Sequence, residues 1–199
     1  MTYAVSIVPH RVLDRLVLAK FREIVGGRFR GTISGGGALQ PHVDEFFNFI
    51  GIPVLEGYGM TETSPVSAVR TWDKLVIGTV GPPFPSTQIR IFDLVDGKLL
   101  YPNPKLRHGG LGLRGEIHVS GPQVMRGYYE NPQRTAEVLT ADGWFNSGDL
   151  GHVDERGVVW ITGRAKDTIV LAGGENVEPE PVETLIKTCL LYTSDAADE

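Results

Sequence analysis

The stretch LEGYGMTETSPV, Leu55 to Val66, sets Tyr58 between Gly57 and Gly59 and follows it with Thr61 and Glu62. Glycines on both sides of an aromatic ring let a backbone come close to something flat. A threonine hydroxyl beside a carboxylate is equipment for phosphate and a hard divalent cation. One reading of the whole is a nucleotide, with a base stacked on Tyr58, a phosphate accepting from Thr61, and Mg2+ on Glu62. The plainer reading is a tight turn with a partly exposed tyrosine, leading into a first helical turn where Thr and Glu suit unpaired N–H groups. That reading leaves unexplained why both residues follow an aromatic held between glycines at a strand end.

A second constellation is GWFNSGDLGHVDERGVVWITGR, Gly143 to Arg164. Asp149 lies among glycines, so its carboxylate could accept from two adjacent hydroxyls such as a ribose presents. A β-turn aspartate is the plain alternative. The third is GRAKDTIVLAGGENVEPEPVE, with Arg164, Lys166 and the Gly173-Gly174 pair. Taken alone, these are surface charges and a hairpin.

The elements that must carry these groups follow from periodicity. Val12 to Val25 has one apolar helical face, stopped by Gly26-Gly27. Phe29 to Ser34 reads as a short strand running into a glycine turn, and a helix follows from Pro41 with Gly51 after its end. IPVLEGYG is a second strand, which makes a βαβ-like unit whose ligand side is the carboxyl end of its strands. After about Arg70, short runs such as TVGPPFPSTQIRIF, GEIHVSG and GVVWITG alternate with Gly-Pro turns, predicting a β-rich subdomain with one inserted helix, NPQRTAEVLT. The segment from Arg164 then opens a small α/β unit with a helix beginning near Pro179.

Composition narrows the class. The net charge of -5 argues against a nucleic-acid partner, which selects for a basic field. No apolar run is long enough to span a bilayer, and the first residues lack the zones of a secretory signal. A lone cysteine, Cys189, cannot form an internal disulfide, so a reducing, cytoplasmic setting is expected. Five histidines are scattered without ligand spacing, and Mg2+ needs none of them.

Together and in this order, SGGGALQPHVDEFF, LEGYGMTETSPV, GTVGPPFP, GEIHVSGPQVMRGYY, GWFNSGDLG and GRAKDTIVLAGGENVEPEPVE resemble the adenylate-forming acyl-CoA synthetases, most closely the long-chain fatty acid–CoA ligases. The likeness runs from about Leu13 to Ile186. It implies an α/β fold: the C-terminal part of the large adenylate-forming domain, followed by the start of a small α+β domain. Residues 1–71 would end the α/β sheet subdomain, 72–163 would be the β-rich subdomain, and 164–186 the hinge and start of the small domain. It also implies a two-step ligase that uses ATP, Mg2+ and CoA on a fatty acid or other carboxylate, with peripheral membrane contact compatible. A carrier-protein acceptor, or a non-catalytic nucleotide-binding module, is the rival reading.

By the same resemblance, Gly36 and the backbone of Glu56, Gly57 and Tyr58 would line the adenine, with Tyr58 stacking on it. Thr61 would hold the α-phosphate, Glu62 the Mg2+, and Asp149 both ribose hydroxyls, supported by Arg164. Lys166 would be the hinge, and Gly173, Gly174, Glu175 and Asn176 the loop on the CoA side. Ser86 stands where the family often has glycine. The family's phosphate-clamping loop would precede residue 1 and its catalytic lysine would follow Ile186. The chain therefore reads as an internal fragment, inactive alone, with residues 187–199, KTCLLYTSDAADE, as foreign or frameshifted sequence.

Overall fold

The computed structural model describes residues 14–170 together with residues 12, 176, 177, 179, 182, 183 and 186. The tail at 187–199 and the glycine turn at 173–175 lie outside the described residues. The first sheet joins β1 (Thr32–Gly35), β2 (Val54–Tyr58) and β3 (Ala68–Val69) in that order. β1 and β2 run parallel, with Thr32 opposite Val54 and Gly35 opposite Gly57. β3 returns antiparallel, placing Ala68 opposite Tyr58.

The expected βαβ unit is present, with α2 (Pro41–Phe49) as its crossover and Pro41 in its first turn. The first expected helix is present, but it is not α-helical throughout. A π-helical turn, Asp14–Leu18, leads into α1 (Ala19–Ile24), and Gly26 and Gly27 leave it at φ +92 and +68. α1 is tied down by Arg22, whose Nη1 donates to Ile50 O at 2.8 Å and pairs with Asp14 at 2.8 Å. Leu18, Ile50 and Ile52 form a small core beneath it.

The larger sheet is antiparallel throughout, in the order β5-β4-β6-β7-β8. Its strands are β4 (Gln88–Phe92), β5 (Leu99–Tyr101), β6 (Gly115–Ser120), β7 (Phe145–Val153) and β8 (Val159–Arg164). Alternation places Ile89, Ile91, Ile117, Val119, Val153 and Val159 on its inner face. Tyr58, Ala68 and Val80 pack into the same cluster, so the two sheets share one core.

β7 was not expected as a strand, because it runs through Gly148 and Gly151, and glycine weakens a strand. The reason for Gly151 is close approach: a Cβ there would stand 2.1 Å from Trp160 O on β8. α3 (Pro132–Val138) is the inserted helix. Ser86, before β4, takes φ +67, which explains a glycine preference at that turn. β9 (Ile169–Val170) pairs antiparallel with β10 (Asn176–Val177). Among the described residues, no helix is long and apolar enough to cross a membrane.

Candidate nucleotide site

Tyr58 is the last residue of β2, Asp149 lies in β7, and Arg164 ends β8 directly opposite Asp149 in register. The Tyr58 Oη donates to Asp149 Oδ2 at 2.7 Å, and Arg164 Nε lies 3.3 Å from Asp149 Oδ1. Three residues drawn from separate motifs thus meet in one cluster. Asp149 is buried, whereas the Arg164 side chain is largely exposed. Burial holds the Asp149 carboxyl above the usual carboxylate range, although the Tyr58 phenol and Arg164 both oppose that shift. Burial, with the charge of Asp149 next, pushes the Tyr58 phenol well up. At 9% exposed, Tyr58 is more enclosed than a partly exposed turn tyrosine, and its hydroxyl has a fixed partner that the sequence did not reveal.

Strand geometry places the glycine turn beside this cluster. Gly36, just past β1, takes φ +86, and nothing lies within 4 Å of where a Cβ would be. The turn is joined to β2 through Glu56, whose Oε1 accepts from Leu39 N at 3.1 Å. The other Glu56 oxygen accepts from Arg70 Nη2 at 2.8 Å. Arg70 is fully buried, and its Nη1 donates to Asp44 Oδ1 at 2.9 Å while its Nε donates to Thr79 O. Asp44 Oδ2 also accepts from Gly78 N at 3.2 Å. Burial raises the Glu56 carboxyl, against the Leu39 N–H and the Arg70 charge. Arg70 and Asp44 were missed by the sequence reading; the one available signal was a charged residue closing the apolar run VSAVR.

Beyond Tyr58 the chain makes a tight turn. Gly59 has no room for a side chain, since a Cβ would stand 1.8 Å from Pro65 O. Thr61–Thr63 then forms a single 3-10 turn, with Thr61 exposed and Glu62 half-buried. Tyr128 Oη donates to Glu62 Oε1 at 2.8 Å, and Met125 N donates to Glu62 O at 2.8 Å. The hydrogen bond to the Glu62 carboxylate raises the Tyr128 phenol above its ordinary value. Tyr128 also lines an open cleft of about 760 Å³ with Asn131, Thr135 and Leu139.

Among the described residues no group of three or more His, Cys, Asp or Glu could hold a metal. A single accessible carboxylate nonetheless fits Mg2+, which keeps several waters and takes one or two protein carboxylates alongside substrate phosphates. Lys166 is exposed in the turn after β8, where Ala165 N donates to Gly148 O at 2.9 Å. Asn176 opens β10, whereas Gly173, Gly174 and Glu175 lie outside the described residues.

The profile of the AMP-binding enzyme family matches residues 3–129. The chain belongs to the AMP-binding enzyme family. It is 43% identical over 178 residues to the long-chain-fatty-acid–CoA ligase FadD15 of Mycobacterium bovis, covering 89% of this chain and 26% of that protein. It is 44% identical over 184 residues to the long-chain-fatty-acid–[acyl-carrier-protein] ligase AEE15, chloroplastic, of Arabidopsis thaliana, covering 87% of this chain and 24% of that protein. The crystal structure of ATP-bound MatB from Rhodopseudomonas palustris aligns with a TM-score of 0.69 at 39% identity, over 80% of this chain and 30% of that one. The mixed α/β fold is thus that of adenylate-forming enzymes, and the chain spans about a quarter of the length of these curated relatives.

Proposed function

We propose that this chain forms the nucleotide-holding part of an AMP-forming fatty acid–CoA ligase. In that reaction a carboxylate oxygen attacks the α-phosphorus of ATP, the bond to pyrophosphate breaks, and an acyl-adenylate forms. The thiol of CoA then attacks the acyl carbon and AMP leaves. The observation that carries the reading is the meeting of Tyr58, Asp149 and Arg164 at the carboxyl end of β2, beside the open turn at Gly36.

Each group has a task its chemistry suits. The ring of Tyr58 is the platform on which the base would stack, with Gly36 and the Glu56–Gly57 backbone closing around it. Asp149 accepts from the ribose hydroxyls through the lone pairs left beside Tyr58 and Arg164. Thr61 donates to the α-phosphate, and positioning of this kind supplies much of phosphoryl-transfer catalysis. Glu62 would hold Mg2+, which neutralises charge on the phosphates when bound. Lys166 is read as the pivot between the two half-reactions, and the turn from Gly173 to Asn176 as the CoA-side loop.

The boundaries near residues 72 and 164 belong to the same proposal, as do a cytoplasmic location and peripheral contact with a membrane that supplies the acyl chain. A carrier-protein acceptor is the second reading, favoured by the likeness to a ligase of that name.

Acyl-dependent release of AMP by the full-length enzyme carrying this chain tests the reaction. Absence of AMP with every carboxylate from acetate to oleate rejects it, and replacing CoA with a phosphopantetheinylated carrier separates the two acceptors. For the site itself, titration calorimetry with AMP should show saturable binding that Asp149→Ala abolishes; equal heats in both proteins would defeat the ribose assignment.

A further inference from the structure

Glu62 and Tyr128 stand 66 residues apart in the chain and meet at 2.8 Å. A half-exposed tyrosine is ordinarily too free to aim a carboxylate, but this one is fixed from behind. Its amide donates to Thr135 Oγ1 at 2.9 Å, and that hydroxyl donates to Asn131 O at 2.9 Å. Asn131 in turn caps α3, its Oδ1 accepting from Arg134 N at 3.0 Å. Gly127 brings the backbone so close to α3 that a Cβ there would stand 2.8 Å from Thr135 Cγ2. The main-chain bond from Met125 N already joins this loop to the Thr61–Thr63 turn. What the phenol adds is a direction for the Glu62 carboxylate.

We propose that Tyr128 is a positioning residue: by holding Glu62 Oε1 at 2.8 Å it presents the carboxylate to its divalent cation in one orientation, through Oε2. The physical argument is that of outer-shell partners, which hold a ligand side chain in its binding rotamer and spare the entropy of ordering it when the cation arrives. The inference rests on the reading of Glu62 as the cation-holding carboxylate.

The test uses the full-length enzyme carrying this chain, with Mn2+ as a paramagnetic stand-in for Mg2+. Free Mn2+ is followed by electron paramagnetic resonance in the presence of a non-hydrolysable ATP analogue. Tyr128→Phe should weaken Mn2+ binding about tenfold, while leaving metal-free AMP affinity within about twofold and the melting temperature unchanged. Thr135→Val, which frees the Tyr128 backbone and keeps the phenol, should weaken Mn2+ binding by less. In a Glu62→Gln background, Tyr128→Phe should cost nothing more.

Wild-type Mn2+ affinity in Tyr128→Phe, with affinity lost in Glu62→Gln, overturns the positioning role. Wild-type affinity in Glu62→Gln overturns the metal reading of Glu62 and this inference with it. Equal loss of metal-free AMP and Mn2+ binding in Tyr128→Phe, or an undiminished effect in the Glu62→Gln background, makes Tyr128 a structural or nucleotide contact and likewise overturns the proposal.

Discussion

Asp149 shows how a site residue strains against its own fold. Its carboxyl is raised because burial outweighs the help of Tyr58 and Arg164. An acid with a raised folded-state value favours the folded chain below its ordinary value and loses that contribution as pH rises through the folded one. Asp149→Asn removes the group that must ionise in a poor environment and keeps an oxygen for Tyr58. In urea unfolding of this chain, the variant should be more stable than the wild type at pH 7, and the gain should vanish below about pH 4. Its AMP affinity should fall at the same time. A wild type more stable than Asp149→Asn at pH 7 would show that the Tyr58 and Arg164 contacts outweigh burial. The acid itself was legible in GWFNSGDLG, since glycines around an aspartate mark a backbone with an unusual task. The Tyr58 hydrogen bond was not, because its partners are 91 residues apart and no local pattern encodes such a pairing.

At the level of elements, the Arg70 network fastens α2, β2 and the loop at Thr79 into one frame. Arg70 lies between two carboxylates, Asp44 and Glu56, and none of the three is appreciably exposed. Removing the cation leaves two buried carboxylates facing each other, a loss of about 3–5 kcal/mol by the behaviour of broken buried pairs. Arg70→Met should therefore lower the urea-unfolding free energy by that amount. A change under about 1 kcal/mol would mean that water enters and replaces the guanidinium. The β1-α2-β2 unit was legible because alternation, a proline start and glycine stops agree locally. β5 and β7 were hidden: three residues are too few for a pattern, and two glycines inside β7 mask its alternation. The left-handed Ser86 shows the limit differently, since serine conceals a turn that glycine would announce.

Across the whole molecule, the apolar surface is unevenly covered. The core shared by the two sheets is closed, yet Ile24 at 79% and Leu16 at 63% exposed stand open, with Phe46 and Phe49 also exposed. Phe21 and Phe46 meet edge to face at 6.2 Å within this patch. Exposed apolar surface of this kind favours association. Sedimentation velocity on the 199-residue chain should show concentration-dependent self-association that Ile24→Lys with Phe46→Lys suppresses; a monomer at every concentration would defeat that expectation. The apolar stripe was legible from Val12 to Val25 in its helical spacing. One further property follows from the rung where Asp149 faces Arg164 and the amide after it is stitched to Gly148. The chain departs from the sheet at the very edge proposed to hold the ribose, so on that reading a lever swung from that point would have its bearing in the ligand's wall. Lengthening or slackening the departure would loosen both together, and the freedom of the lever cannot be tuned without retuning the grip.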